Sequence, residues 1–390
     1  MVIIEKLKQN NLKCCGCTAC YAVCPKNAIT MQADSEGFKY PVIDKDKCID
    51  CGLCCKVCPL DIKLEKTEDK QIAVACTAKD ENFTKQSSSG GVFAILANMF
   101  IEKQAVIYGA AFDDDWNVKH IRVNQKEDLK KLSTSKYVQS DMTDNFKTVK
   151  VDLNSGKEVL FAGTPCQVAG LKCYLGKDYN NLTTVDFICH GVPSPLVWKC
   201  YINEKAASLK SKITDISFRD KKDGWKNFGF MIKTEDQNIN YEKAGDNIYM
   251  NGFLKDLYLR PSCYDCKFKT LKRASDITLA DFWGIDKVLP EMYDEKGVSL
   301  CWTSSKKGSK ILAEVLEQTV YQKVYLYEVI KHNPMAIKSV NVHKNRDKFF
   351  EEFAESHDDV TKLIKKYYDT RSLRKRLSYK IRTKLKSLFK

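Results

Sequence analysis

The sequence predicts a small cysteine-rich α+β unit, then a larger mixed α/β domain, then a helical C-terminal extension. Three observations carry this. The pattern CxxCxxCxxxCP occurs twice between positions 14 and 59, helix, strand and loop repeat from Asp144 onward, and apolar residues return every three or four positions from Leu373 to Leu388.

The first copy is Cys14, Cys17, Cys20, Cys24 and Pro25; the second is Cys48, Cys51, Cys54, Cys58 and Pro59. This is the bacterial ferredoxin run, in which three closely spaced thiolates wrap one [4Fe–4S] cube and the fourth reaches the other cube. One cluster then takes Cys14, Cys17, Cys20 and Cys58, and the second takes Cys48, Cys51, Cys54 and Cys24. Each proline fixes φ just after the exchanged ligand and turns the chain there. A zinc ribbon needs only four thiolates in two CxxC pairs, and eight in matched quartets exceed that need. A disulfide framework suits short secreted chains, not one of this length. Cys15 and Cys55 stand beside ligands at equivalent places and read as packed thiols.

The chain has 390 residues, enough for two or three domains. Its 18 cysteines, with no export signal or spanning stretch in view, point to a reducing cytoplasm. Nine Lys or Arg and no acidic residue fall between Arg371 and Lys390, which leaves about +5 of the net +14 for the rest of the chain. That balance gives no reason to expect a nucleic-acid partner.

After Pro59, residues 63–70 are charged and read as a linker. A short strand over 71–75 precedes Gln86-Ser-Ser-Ser-Gly-Gly91, which opens a helix of apolar period from Val92. Such a loop is either a phosphate-binding turn at the positive end of the helix dipole or a serine N-cap with two glycines for a tight turn. Strands follow at 105–112 and 118–123, joined by three aspartates, with a short helix over 126–132. The loop Ser135–Ser140 holds a cofactor or caps its neighbours. A strand over 158–162 ends in Gly163-Thr-Pro-Cys-Gln167, a helix runs from Val168 to Leu175, and a strand over 183–188 ends in Cys189-His-Gly191. In one parallel sheet their carboxyl ends share an edge, where open α/β sheets place ligands. Strands at 213–219 and 227–233 lead to Cys263-Tyr-Asp-Cys266 and a strand ending at Asp281. Cys166, Cys189, Cys263 and Cys266 thus stand at loops or strand ends and satisfy one more cubane, or are separate buried thiols. Cys76, Cys173, Cys200 and Cys301 read as packed thiols.

The set SSSGGVF at 87–93, SKYVQS at 135–140, FAGTPCQVAGL at 161–171, CHGVPSP at 189–195, and CYDCKF followed by SDITLADFWG at 275–284 resembles the beta-subunit family of coenzyme F420 hydrogenases and dehydrogenases. The resemblance spans about Ile72 to Tyr325 and divides the chain into a ferredoxin unit (1–68), two beta-subunit-like parts (71–160 and 161–330) and a helical extension (331–390). It implies an iron–sulfur flavoprotein with FAD in the α/β domain. A third [4Fe–4S] cluster falls on Cys166, Cys189, Cys263 and Cys266. FAD contacts fall on Ser88, Ser89, Gly90 and Gly91, on Ser135, Lys136 and Tyr137, and on Gly163 and Thr164.

The expected function is an FAD- and iron–sulfur-dependent oxidoreductase. Single electrons pass along the clusters to the flavin, which delivers hydride to a coenzyme F420-like or other small molecule. Ferredoxin or coenzyme F420 is the expected donor or acceptor, and some members of the family sit in surface-polysaccharide pathways. The alternative is an electron-transfer protein that feeds a partner enzyme. No catalytic acid is identified: His190 either donates a proton or holds its loop. From His332 onward no family motif is found. Leu373, Leu377, Ile381, Leu385 and Leu388, among Arg374, Lys375, Arg382, Lys384 and Lys386, form a basic amphipathic helix. It suits an anionic membrane surface on the cytoplasmic side, an acidic carrier, or no partner at all.

Overall fold

The computed structural model describes residues 13–61 and 72–369. The expected linker at 63–70 and the basic helix beyond 370 lie outside the described residues.

In the N-terminal unit, β1 (Ile29–Ala33) and β2 (Lys39–Ile43) pair antiparallel with Ile29 opposite Ile43. The tip of this hairpin plugs into the rest of the molecule. Asp34 Oδ1 accepts from the N–H groups of Glu36 (3.0 Å) and Phe38 (2.9 Å), which tightens the turn. Gly37, at φ +85°, lies so close to Leu196 that a Cβ would stand 2.3 Å from that residue's Cβ, so only glycine fits there. Phe38 is thereby fully buried in a core with Trp198, Phe218 and Phe230. Arg346 donates from Nη1 to Glu36 Oε1 at 2.8 Å and holds the tip from the other side.

The next strands are β3 (Ile72–Ala78), β4 (Val106–Phe112), β5 (Val118–Val123), β6 (Val159–Ala162) and β7 (Leu182–Phe187). After them come β8 (Ile213–Asp220), β9 (Gly229–Thr234), β10 (Ile239–Lys243), β11 (Ile277–Asp281), β12 (Ser299–Thr303) and β13 (Thr319–Tyr325). One mixed sheet runs β13-β3-β12-β11-β7-β6-β4-β5, so β3 from 71–160 lies between β13 and β12 from 161–330, and the two parts share one sheet. Its centre, β4-β6-β7-β11, is parallel, and the remaining pairs are antiparallel. Covered on both faces, the central strands read as apolar runs such as Val159-Leu-Phe161, all fully buried. The parallel pairing puts the ends of β6, β7 and β11 on one edge. Register through β12 brings the end of β3, and the loop after it, to the same edge.

The helix after β6 starts at Pro165, three residues earlier than its apolar period suggests. Proline at the first helical position and a capping box between Thr164 and Gln167 extend it N-terminally. Cys166 therefore sits in a first helical turn rather than in a loop. The small antiparallel sheet β10-β9-β8 packs an aromatic core, with Trp198 and Phe218 at 4.9 Å between ring centres. Helices Arg346–Glu355 and Val360–Tyr367 contribute Phe349, Phe353 and Ile364 to the same core. Among the described residues, no helix is long and apolar enough to cross a membrane.

Candidate functional site

Left-handed residues open the two short helices of the N-terminal unit, Thr18 (φ 69°) before Ala19–Val23 and Gly52 (φ 73°) before Leu53–Lys56. These sharp entries fold each cysteine run back on itself. Cys24, Cys48, Cys51 and Cys54 then line one small cavity walled by Ile29, Ile43 and Ile49. The backbone N–H of Ala28 points at Cys24 Sγ from 3.3 Å. Cys20 sits among the sulfurs of Cys14, Cys58 and Cys54, and Cys17 faces Cys14 and Cys20. Each long-range cysteine thus joins the triplet of the other copy. Burial raises the thiol of Cys54 to about 12 and that of Cys20 further, so thiolates there need positive charge beside them.

Cys166, Cys189, Cys263 and Cys266, separate in sequence, line a second cavity of about 510 Å³. Cys166 comes from the helix after β6, Cys189 from just beyond β7, and the other two from a 3₁₀ turn at Pro261–Cys263 and the residues after it. Thr164 Oγ1 lies 3.1 Å from Cys166 Sγ, and the N–H of Val192 points at Cys263 Sγ from 3.5 Å. Burial raises the Cys189 thiol to about 12, with Cys166 and Cys266 adding, and raises Cys263 and Cys266 likewise. Arg260, Lys269 and Arg273 line the same cavity. Four thiols lining one void, with a backbone N–H pointing at one of them and cations on the same walls, form a donor set that suits a [4Fe–4S] cluster. Among the described residues, no three His, Cys, Asp or Glu converge on a single-ion site.

Arg260 joins the two halves and is 1 % exposed. It donates from Nε to the Cys14 carbonyl (2.7 Å), from Nη1 to Gln139 Oε1 (2.9 Å) and from Nη2 to the Lys39 carbonyl (2.9 Å). Its guanidinium stacks over Tyr40 at 4.2 Å. Gly170 lets the helix approach equally closely, since a Cβ there would lie 2.7 Å from Cys17 Cβ.

Hydrogen bonds connect the loops expected to hold FAD. Ser88 Oγ accepts from the Ser135 N–H at 2.8 Å, and Gln167 Nε2 donates to Ser140 Oγ at 2.9 Å, tying the Ser135–Ser140 segment to both neighbours. The N-cap of the Val92–Glu102 helix is Gly91 at φ +90°, with no side chain capping it, so the serine cap is not made and the first-turn N–H groups stay open. Gly90 is hemmed in, because a Cβ would meet the Cys76 carbonyl at 2.6 Å. Lys136 turns its ammonium onto the Ser133 (2.5 Å) and Lys131 (2.9 Å) carbonyls, and burial pushes it down to about 7. Tyr137 stacks on Phe253 at 4.7 Å. Gly163 donates to the Val185 carbonyl at 3.0 Å, and Thr164 alone of these residues also lines the cysteine cavity.

Sequence reasoning missed Arg219 and Lys221. Arg219, 4 % exposed, pairs through Nη1 with Asp281 Oδ2 at 2.5 Å, while its Nε and Nη2 have no partner. Lys221 donates to the Thr84 carbonyl (2.5 Å) and the Ser89 carbonyl (3.4 Å); burial and the nearby Arg219 charge push it down to about 8. An open helix N-terminus beside a partly unpartnered guanidinium suits a phosphate-bearing cofactor. The one advance signal was FRD at 218–220 as a strand end. His190, for its part, is held by Asp256 at 2.7 Å and by the edge of Phe253, a loop-holding arrangement.

A ferredoxin-type hairpin with paired cysteine quartets, docked on an α/β sheet, defines an iron–sulfur electron-transfer protein. Residues 156–327 match the family model for the C-terminal part of the coenzyme F420 hydrogenase/dehydrogenase beta subunit, and residues 13–62 match a 4Fe-4S dicluster domain. The chain thus carries a region that matches the C-terminal part of that beta subunit, with a dicluster region ahead of it. It is similar to an uncharacterized protein of Methanocaldococcus jannaschii, 29 % identical over 197 residues, 43 % of this chain and 54 % of that one. A ferredoxin of the same organism is 38 % identical over 74 residues, 19 % of this chain and 87 % of that one. One component of the Na(+)-translocating ferredoxin:NAD(+) oxidoreductase complex of Acetobacterium woodii is 36 % identical over 72 residues, 18 % of this chain and 19 % of that one. The chain thus spans about half of the first relative and a fifth of the last. A chain of the F420-reducing [NiFe] hydrogenase complex of Methanosarcina barkeri superposes with a TM-score of 0.48 at 18 % identity, covering 76 % of this chain and 97 % of that one.

Proposed function

We propose that this chain is an iron–sulfur flavoprotein oxidoreductase with three [4Fe–4S] clusters and one FAD. Cys14, Cys17, Cys20 and Cys58 hold the first cluster, Cys24, Cys48, Cys51 and Cys54 the second, and Cys166, Cys189, Cys263 and Cys266 the third. When bound, the clusters carry single electrons and the flavin exchanges them for a hydride. Ser88 to Gly91, with Arg219 and Lys221 behind them, receive the cofactor phosphates. Ser135 to Tyr137, Gly163 and Thr164 orient the rest. The observation that carries this reading is the convergence of four thiols from three separate segments on one cavity bound to the ferredoxin unit through Arg260. The hydride partner is a coenzyme F420-like or other small molecule, with surface-polysaccharide synthesis as one setting, and the site of action is the cytoplasm.

A second reading, a relay that feeds a partner enzyme, has its own support. Cys51 is exposed, and so are the apolar side chains of Val42 (42 %), Ile49 (59 %) and Leu53 (36 %) in the same unit. Turnover by the isolated chain separates the two readings. The first experiment is anaerobic purification with iron, sulfide and flavin measured on one sample. About twelve irons and one FAD per chain support the flavoprotein; about eight irons and no flavin refute it.

A further inference from the structure

Arg273, on the wall of the cavity formed with Cys166, Cys189, Cys263 and Cys266, meets a row of buried polar side chains that are only partly paired. Asp186 on β7, Thr278 on β11 and Trp302 on β12 stand opposite one another across three adjacent strands. Thr278 Oγ1 donates to Asp186 Oδ1 at 2.6 Å, whereas Asp186 Oδ2 and Trp302 Nε1 have no hydrogen-bond partner among the described residues. The Arg273 guanidinium lies over the Trp302 ring at 5.6 Å, and its side chain is 2 % exposed. Its pairing is loose. Nη1 stands 3.9 Å from Asp186 Oδ2, Nη1 and Nη2 reach the Phe268 and Ala336 carbonyls only at 3.5 Å, and Nε has no partner among the described residues. Two other cations of the same wall are engaged: Arg260 by Cys14, Gln139 and Lys39, and Lys269 by the carbonyls of Cys189 and His190.

A guanidinium stays charged at any working pH, and burying one beside a single distant carboxylate is costly unless another anion stands close. Four thiolates around a [4Fe–4S] core are such an anion, and a more negative one once an electron is added. We infer that Arg273 sets the potential of the third cluster, with Asp186 holding the guanidinium in place and offsetting part of its charge. The inference rests on the third cluster proposed above. The step it acts on is the gain of one electron by that cluster and its loss by the ferredoxin pair; no bond forms or breaks, and neither side chain gains or loses a proton. A positive charge favours the more negative, reduced state, so Arg273 raises the midpoint and Asp186 lowers it. Burial keeps water from screening either effect.

The test compares the unaltered full chain with Arg273→Gln, Arg273→Lys and Asp186→Asn, each prepared anaerobically, assayed for iron and titrated potentiometrically with low-temperature EPR. Arg273→Gln is expected to keep about twelve irons. Its third-cluster midpoint should fall by about tenfold in the one-electron equilibrium, or about 59 mV, while the two ferredoxin clusters stay in place as an internal reference. Arg273→Lys, which keeps the charge, should recover most of the shift, and Asp186→Asn should move the same midpoint upward. An unchanged third-cluster midpoint in Arg273→Gln overturns the inference, as does an equal shift of all three clusters, which marks a loosened structure. Where Arg273→Gln loses iron, Asp186→Asn decides: a raised midpoint supports the role and an unchanged one refutes it. About eight irons in the unaltered chain is a separate failure, that of the third cluster itself.

Discussion

Replacing Arg260 with methionine keeps the buried stem and removes the guanidinium, and the structure sets what that costs. Three acceptors lose their donor at once: the carbonyls of Cys14 and Lys39, and Gln139 Oε1. Hydrogen bonds from a charged donor are worth about 1.5–3 kcal/mol each, and the stacking on Tyr40 adds about 1. Against this, the variant no longer buries a charge, which in the native chain costs several kcal/mol. The net loss is about 3–5 kcal/mol, the range seen when one partner of a buried polar network is deleted. It falls on the attachment of the ferredoxin unit to the sheet domain, not on either core. All five tryptophans lie beyond residue 72, so fluorescence reports the α/β domain, while EPR of the dicluster unit reports the other half. In urea the two signals are expected to fall together for the unaltered chain and to separate for Arg260→Met, the cluster signal going first. Arg260→Lys, with charge but no fork, should lie between them. If Arg260→Met unfolds within about 1 kcal/mol of the unaltered chain with coincident traces, Arg260 is not the joint between the units.

Gly170→Ala sets two effects against each other. A helix gains about 1 kcal/mol from alanine, and overpacking against Cys17 costs about 1–3 kcal/mol; because Cys17 is backed by its own loop, the cost should win, lowering both Tm and iron content. A higher Tm would contradict the close approach. Asp152 accepts from Tyr108 (2.6 Å), from Arg122 at both Nε (2.7 Å) and Nη2 (3.1 Å), and from Lys157 (2.9 Å). Burial pushes its carboxyl up, but these donors outweigh it and hold the pKa below the usual carboxylate range. A depressed folded pKa adds stability that is complete above the unfolded value, about 3.9, and is lost as pH falls toward the folded one. Asp152→Asn should therefore cost about 2–3 kcal/mol at pH 7, with the gap closing below about pH 4 in denaturant titrations. A gap that does not change with pH would show that the charge is not what matters. For the basic C-terminal segment, the full chain should sediment with anionic vesicles, and a truncation lacking residue 370 onward should not; equal sedimentation rules out surface binding.

Local features of this molecule were legible because their causes are local. Cysteine spacing groups the two quartets since three cysteines of each fall within seven residues. The strand at 118–123 was found at both observed ends, and the one closing at Asp281 at its C-terminal end, because alternation and flanking turns define them. The shared edge of β6 and β7 followed from the handedness of strand–helix–strand units. What escaped was set by long-range packing. Phe38 looks like one more aromatic in a hairpin until Gly37 meets Leu196, 159 positions on. Arg260 precedes a CxxC and reads as one more cation of that region, yet its partners lie at Cys14, Lys39 and Gln139, in two segments far upstream. Arg219 similarly needed Asp281 beside it before its two unpartnered nitrogens meant anything. Cys15 and Cys55 are equivalent in the repeat, yet Cys15 lines the cavity of Cys166, Cys189, Cys263 and Cys266 and Cys55 does not. A duplicated unit keeps its internal geometry and loses its equivalence at the surface where one copy docks.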